Sequence, residues 1–373
     1  MTDIYLDLAA PGIRGLKPYQ PGKPIAELER EYGVSDIVKL ASNENPLGPA
    51  PRALTAIATA AVELARYPDA NGFELKRALA DRHAVGADCV TLGNGSNELL
   101  VLLAESFLGP GLEAVYSRHA FAVYALAVQA TGATHRVADA LPADDTQRFG
   151  HDLDAMAALV GPRTRMVFIA NPNNPTGTWV DGAALERFVA GLPRHVIAVV
   201  DEAYFEYVQA PGYPDATRWL DRFPNLVVTR TFSKAFGLAG LRIGYGISSA
   251  AIADILNRIR QPFNTNALAQ VAALAALEDT AHLARSVELN ATEMTRVATA
   301  CRALGLGVHP SVGNFLLVDM GAPARPLFDA MLHEGVIVRP VANYGLPNHL
   351  RISIGLPAEN DRLMVALERV TQR

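Results

Sequence analysis

Cysteine is nearly absent from this chain: Cys89 and Cys301 are the two in 373 residues, and they stand far apart. A disulfide framework or a zinc cluster needs paired or clustered thiols, so neither is expected. Basic excess is missing as well. With 33 Lys and Arg against 38 Asp and Glu, the formal net charge is −5. No basic run stands out, so nothing favours a nucleic-acid partner, which would need a basic surface. No stretch approaches the roughly 18 consecutive apolar residues of a membrane span. The nine histidines show no H-E-x-x-H or comparable spacing and read as core or surface residues, so no metal is expected. The opening segment MTDIYLDLAAPG carries Asp3 and Asp7 where a secretory leader would be basic. A reducing cytoplasm is the expected setting.

What is present is an alternation. Between about 45 and 262, short β-branched runs follow helical stretches. The candidate strands are 89–93, 114–117, 134–138, 165–170, 196–201, 225–230 and 241–247. Candidate helices include 97–108, 121–132, 152–160 and 183–192. Continuous apolar strands alternating with helices predict an α/β fold, with a mostly parallel seven-stranded sheet covered on both faces. After about 263 the pattern changes. An Ala-rich helical region over 266–304 precedes apolar runs at 313–320, 335–340 and 350–355, with a helix over 325–334 between the first two. A smaller α+β domain is expected there, joined by the N-terminal 1–44, beside a large domain over 45–262.

Parallel sheets bind ligands beyond the carboxyl ends of their strands, so the polar residues at those ends matter most. The first strand runs into 93-GNGSNE-98 and straight into a helix, leaving the N–H groups of Gly95, Ser96 and Asn97 at a helix N-terminus. Free donors and the helix dipole favour an anion there; a plain glycine turn with a capping side chain is the alternative. The stretch resembles half of a dinucleotide fingerprint, but Glu98 occupies the third glycine position, which argues against NAD. The 165–170 strand meets 171-NPNNPTG-177, a proline-braced loop able to hold an amide such as that of Asn174 against a ligand. The 196–200 run delivers Asp201, Glu202 and Tyr204, and an acid at the end of a buried strand is costly unless it meets a positive partner. The 225–230 strand delivers Thr231, Ser233 and Lys234, with Arg242 following.

A lone lysine in a loop is usually solvated. Here Lys234 shares a sheet edge with an anion cradle, an acid and an amide, and glycines at 237, 240, 244 and 246 leave room for a ligand. A lysine that can lose its proton is a Schiff-base nucleophile. Pyridoxal phosphate needs this whole set: a lysine for its aldehyde, an acid for its ring nitrogen, a donor for its phenolic oxygen and an anion site for its phosphate. Lys234, Asp201, Asn174 with Tyr204, and 95-GSN-97 with Ser233 and Arg242 supply them in that order.

The motifs ANPNNPTG, VVDEAYFEY and TFSKAFGLAGLRIGYG, in this order and spacing, resemble those of the fold type I pyridoxal-phosphate aminotransferases, and within them the branch acting on histidinol phosphate. The likeness extends over 17-KPYQPGKP-24, 39-KLASNENPLGP-49, 66-RYPDANG-72, 91-TLGNGSNE-98, 311-SVGNFLLVD-319 and 335-GVIVRPVANYGLPNHLRISIG-355. The resemblance implies that Lys234 bonds to the cofactor and moves the substrate proton, and that Asp201 pairs with the pyridinium. It implies contacts from Asn174 and Tyr204 to the phenolic oxygen. Ser96, Asn97, Thr231, Ser233 and Arg242 are implied for the phosphate, with Tyr67 reaching in from the other subunit of a homodimer. Phe121 falls where the family stacks an aromatic ring, a position that is often Tyr. Arg351 is implied for the glutamate carboxylate and, with Arg339 and Tyr19, for a substrate phosphate; Asn43 is placed on the substrate side. The implied substrates are glutamate and imidazole acetol phosphate, and a cis Asn174–Pro175 bond is expected. The nearest alternatives are an aromatic-amino-acid aminotransferase and a lyase similar to threonine-phosphate decarboxylase.

Overall fold

The computed structural model describes residues 4–19 and 22–372. Asp3 and the Gln20–Pro21 pair of the KPYQPGKP motif lie outside them. Seven strands form the main sheet, in the order Val90–Gly93, Gly244–Ser248, Leu226–Thr231, Ile197–Asp201, Thr164–Ala170, Glu113–Ser117 and Thr134–Ala138. Gly244–Ser248 runs antiparallel to both of its neighbours, while the remaining contacts are parallel.

Side chains alternate across these strands and build a core on each face. Met166, Phe168, Val199 and Val227 pack with the helices Ser96–Phe107, Ala122–Ala130 and Ala250–Ile259. Val167, Ile169, Val200 and Val228 pack on the opposite side with Met156, Leu185 and Val189 from the helices Leu153–Ala158 and Gly182–Gly191. Burial on both faces accounts for strands that read as unbroken apolar runs.

A second sheet of four strands, ordered Arg339–Pro340, His349–Ser353, Phe315–Asp319 and Gly307–Val308, shares a separate core with the helices Ala324–His333 and Pro357–Thr371. Val38–Lys39 pairs in parallel with Val336–Ile337 and carries the N-terminal chain across to this core. Among the described residues no helix is long and apolar enough to cross a membrane.

Three local expectations change. The Ala-rich region is two helices, Ala267–Glu278 and Thr280–Ala303, broken where Asp279 turns its side chain to accept from the backbone N–H of His282. Ala269, Ala272 and Ala276 of the first helix pack with Ala53, Leu79 and Leu92 rather than with the four-stranded sheet. The strand expected from 241 begins at Gly244, because Ala239–Leu241 is a 3-10 turn and Arg242 adopts φ 57°. The last helix, Pro357–Thr371, is not among the expected elements.

Candidate active site

The carboxyl ends of the parallel strands open into a cavity of about 590 Å³. Arg339 and Arg351 of the four-stranded sheet and the 41–43 segment also line it. A cleft of about 670 Å³ lies elsewhere, lined by Trp179, Arg187 and Asp152, and holds none of the strand-end groups.

One end of the main cavity is a cradle of backbone. Gly95 precedes the Ser96–Phe107 helix at φ 80°, so Ser96 and Asn97 present their N–H groups in its first turn. A Cβ on Gly95 would sit 2.6 Å from Arg242 Nη2, and one on Gly244 would sit 2.4 Å from Ser96 N. Glycine is therefore required for the arginine and the helix start to approach this closely. Arg242 Nη1 donates to Ser233 Oγ at 3.3 Å and to Ala239 O at 3.0 Å. Thr231 Oγ1 accepts from Ser233 N at 3.1 Å. Glu98, which replaces a dinucleotide-fold glycine, folds back to accept from Asn94 N at 2.6 Å and from Asn264 Nδ2 at 2.7 Å. It fixes the loop instead of occupying the cradle. The donor set of two helix-start amides, two hydroxyls and a guanidinium suits a phosphate.

Lys234 stands further along. Its Nζ donates to the carbonyl of Ser42 at 3.0 Å and lies 5.8 Å from the centroid of the Tyr204 ring. Burial, with the positive charges of Arg351 and Arg242, lowers its pKa from 10.5 to about 7. At neutral pH a substantial fraction of this amine is free to attack a carbonyl. Asp201 Oδ2 accepts from Tyr124 Oη at 2.9 Å and Oδ1 from Thr229 Oγ1 at 3.1 Å. Burial raises the pKa of its carboxyl above the ordinary value, and the two hydroxyl donors oppose that rise. Among the described residues Asp201 forms no ion pair.

On the side of the four-stranded sheet Arg351 Nη1 donates to Asn174 Oδ1 at 2.6 Å and Nη2 to Ala41 O at 2.5 Å. Because the guanidinium holds Asn174 Oδ1, the Nδ2 donor of that amide is the end left for a ligand. Asn171–Pro172 and Asn174–Pro175 are both cis. Arg351 Nε is buried without a partner. Arg339 is its direct cross-strand neighbour, and the Arg339 guanidinium lies 5.8 Å from the ring of Tyr19. Burial pushes the Tyr204 hydroxyl up to about 12, against the opposing pull of Arg351 and Asn43.

The fold brings together Ser96, Asn97, Phe121, Asn174, Asp201, Tyr204, Thr231, Ser233, Lys234, Arg242, Arg339, Arg351, Tyr19 and Asn43 on one cavity. Tyr67 is apart from them, 82 % exposed and stacked on Phe263 at 4.6 Å. Sequence reasoning missed Tyr124 and Thr229, which hold Asp201. Tyr124 lies three residues after Phe121, the spacing that puts both on one helix face, and that was the available signal.

These features define a class. Residues 35–367 match the model of the family described as aminotransferase class I and II, and the chain belongs to that family. It is 57% identical over 372 residues to histidinol-phosphate aminotransferase 2 of Pseudomonas aeruginosa, covering 99% of each chain. It is 56% identical over 363 residues to histidinol-phosphate aminotransferase 2 of Methylococcus capsulatus, covering 97% of this chain and 98% of the other. Among solved structures, histidinol-phosphate aminotransferase from Sinorhizobium meliloti, in complex with pyridoxal-5'-phosphate, superimposes with a TM-score of 0.89 at 31% identity, covering 97% of each chain.

Proposed function

We propose that this chain is a pyridoxal-phosphate-dependent transaminase that moves an amino group from L-glutamate to imidazole acetol phosphate, giving 2-oxoglutarate and L-histidinol phosphate. The observation that carries the substrate reading is the pairing of Arg339 with Arg351. They are register partners on adjacent antiparallel strands, 8% and 7% exposed respectively. Like charges directly opposite each other destabilise a sheet, and a doubly charged phosphate between them relieves that repulsion better than a single carboxylate. The same Arg351 suits the carboxylate of glutamate, so two unlike substrates share one site.

When bound, pyridoxal phosphate supplies an aldehyde that condenses with amines and a protonated ring that draws off the electron pair released at the substrate's α-carbon. The cradle of Gly95, Ser96, Asn97, Thr231, Ser233 and Arg242 is assigned to its phosphate, and Phe121 to a face of its ring. Asp201 keeps a proton on the ring nitrogen. Asn174 Nδ2 and the Tyr204 hydroxyl donate to the phenolic oxygen. Lys234 Nζ is the covalent attachment point and then the base that takes the α-proton from the substrate and returns it. Its depressed pKa suits both tasks at neutral pH. Arg351 orients the substrate, with Arg339 and Tyr19 on its phosphate and Asn43 at the edge of its space.

We also propose a homodimer in the cytoplasm, with Tyr67 completing the partner's phosphate site. Val62, Leu64, Tyr67 and Phe73 are large apolar side chains exposed along 62–73, which a second copy would cover. The two sheets with their cores are assigned to two domains, 45–262 with the 267–278 helix packed on it, and 1–44 with the remaining C-terminal part.

The test is a titration of the visible spectrum of the loaded protein with L-histidinol phosphate and, in parallel, with L-phenylalanine, without keto acid. The cofactor band is expected to bleach at far lower concentrations of histidinol phosphate. Equal or better bleaching by phenylalanine would make the protein an aromatic aminotransferase and overturn the phosphate role of Arg339 and Arg351. Lys234→Ala is expected to abolish turnover; retained turnover would overturn the catalytic assignment.

A further inference from the structure

The 41–45 segment touches the reactive groups from above. Ser42 O accepts from Lys234 Nζ at 3.0 Å, and Asn43 Nδ2 donates to Tyr204 Oη at 2.9 Å. Asn43 is 1% exposed, Tyr204 4% and Ser353 3%. Asn43 adopts φ 55°, a left-handed conformation that Asn tolerates better than most residues. The small domain holds it there: Asn43 N donates to Ser353 Oγ at 2.8 Å, Ser353 Oγ donates to Asn43 Oδ1 at 2.9 Å, and Asn314 Nδ2 donates to Asn43 O at 3.0 Å.

These bonds fix a direction. Ser353 Oγ accepts from Asn43 N, so its single proton goes to Asn43 Oδ1. With Oδ1 engaged, the amide must present Nδ2 to Tyr204. Reversing the amide would place two donors, Asn43 N and Nδ2, on Ser353 Oγ and strand the buried Ser353 proton without an acceptor, which is costly. Tyr204 Oη therefore receives a hydrogen bond from above, and its own proton is released toward the cavity beside Lys234.

We propose that Ser353, acting through Asn43, is a positioning residue that sets the hydrogen-bond polarity of Tyr204, so that the tyrosine donates to the bound cofactor and does not spend its proton on the protein. This inference rests on the pyridoxal-phosphate reading above. It gives the small domain a direct connection to the cofactor's electronics: the strand that carries Arg351 on the substrate also carries Ser353, two residues on. A hydrogen bond to the anionic form of the cofactor's phenolic oxygen stabilises that form. Removing it raises the pH at which the visible band of the lysine-bound cofactor changes.

The experiment is a pH titration of that visible band in the loaded wild type, Ser353→Ala, Ser353→Thr and Asn43→Asp. In Ser353→Ala the amide is free to turn Oδ1 toward Tyr204 and capture its proton, so the midpoint should rise by about one pH unit, a tenfold change in proton affinity. Asn43→Asp places an acceptor there permanently and should rise at least as far. Ser353→Thr keeps the hydroxyl and should titrate like wild type. A role confined to packing would change melting temperature or cofactor loading and leave the midpoint in place. Wild-type midpoints in both Ser353→Ala and Asn43→Asp would overturn the proposal, and so would a Ser353→Thr midpoint displaced as far as that of Ser353→Ala. If Ser353→Ala fails to fold, the contrast between Asn43→Asp and Ser353→Thr decides. Failure of the underlying reading looks different: the wild type would then show no band that depends on Lys234.

Discussion

Asp201 and Glu202 are consecutive acids at the end of one buried strand, yet their surroundings are opposite in kind. Glu202 is fully buried, and its Oε2 accepts from Arg230 Nε at 2.9 Å and Nη2 at 2.7 Å. Its Oε1 accepts from Ala216 N at 3.1 Å. Arg230 Nη2 also donates to Asp215 at 2.7 Å, and the guanidinium lies 3.4 Å from the centroid of Phe205. Burial opposes the charge of Arg230, but Glu202, Tyr245 and Asp215 hold it protonated above its ordinary range. The pair closes its hydrogen bonds, although burial still raises the Glu202 carboxyl to about 7 against the pull of Arg230. Asp201 points to the other face, into the cavity, and accepts from two neutral hydroxyls. Burying an acid whose direct partners are neutral destabilises the charged form, and the more distant charge of Lys234 offsets this only in part, which supports the ligand role proposed above. Two neighbouring residues thus separate an acid answered by the fold from the one proposed to hold the cofactor. The separating criterion is whether the protein itself provides a counter-charge in direct contact.

The largest effect that could break this contrast lies on the structural side. Arg230→Met should destabilise the protein by about 3–5 kcal/mol, because it leaves Glu202 buried and unpaired. The double variant Glu202→Leu/Arg230→Met should recover a large part of that loss. Urea unfolding of the single and double variants measures both, and additive losses would show that the two residues are not a closed pair. Asp201→Asn comes next and acts on chemistry. A charge-assisted contact of about 1.5–3 kcal/mol corresponds to a fall in kcat/KM of roughly tenfold to a hundredfold or more. The stability of the cofactor-free protein should stay within about 1 kcal/mol of wild type, since the amide is isosteric and keeps hydrogen-bonding capacity toward Tyr124 and Thr229. A large loss of stability with turnover preserved would place Asp201 on the structural side with Glu202.

Asp201 was the more legible of the two. Asp201, Lys234, Asn174 and the Gly95 cradle announce themselves because strand ends are marked by an abrupt change from apolar to polar residues, and parallel strands deliver those ends to one edge. Glu202 with Arg230 was hidden for a related reason: Arg230 ends a run read as strand, and nothing local says that it pairs with the acid beside Asp201 or with Asp215 in a loop. Tyr124 was hidden inside a helix of apolar residues, where a tyrosine reads as packing until its hydroxyl is seen to reach Asp201. The break at Asp279 and the start of the Gly244–Ser248 strand depend on a side-chain cap and on a left-handed Arg242, local choices that periodicity does not encode. Ser353 was least visible of all, because its importance comes from pairing with Asn43, a residue 310 positions away.

The smallest effect is also the finest test of the contrast. Burial raises the folded-state pKa of Asp201 above its ordinary 3.8. A carboxyl raised in this way binds its proton more tightly in the folded protein than in the unfolded chain. Between 3.8 and its folded-state value the native state therefore holds more protons, and stability falls as pH rises. Asn at this position does not titrate. The stability of cofactor-free Asp201→Asn, measured against wild type by urea unfolding, should therefore gain on wild type as pH rises from 3.8 and level off once the carboxylate is fully ionised. Were a protein cation strong enough to outweigh burial and depress the folded-state pKa of Asp201, the sign would reverse, with wild type gaining on the variant as pH rises. The sign of that slope therefore reports whether the protein gives Asp201 enough counter-charge to outweigh its burial, which Arg230 does not do even for Glu202, whose carboxyl burial raises to about 7.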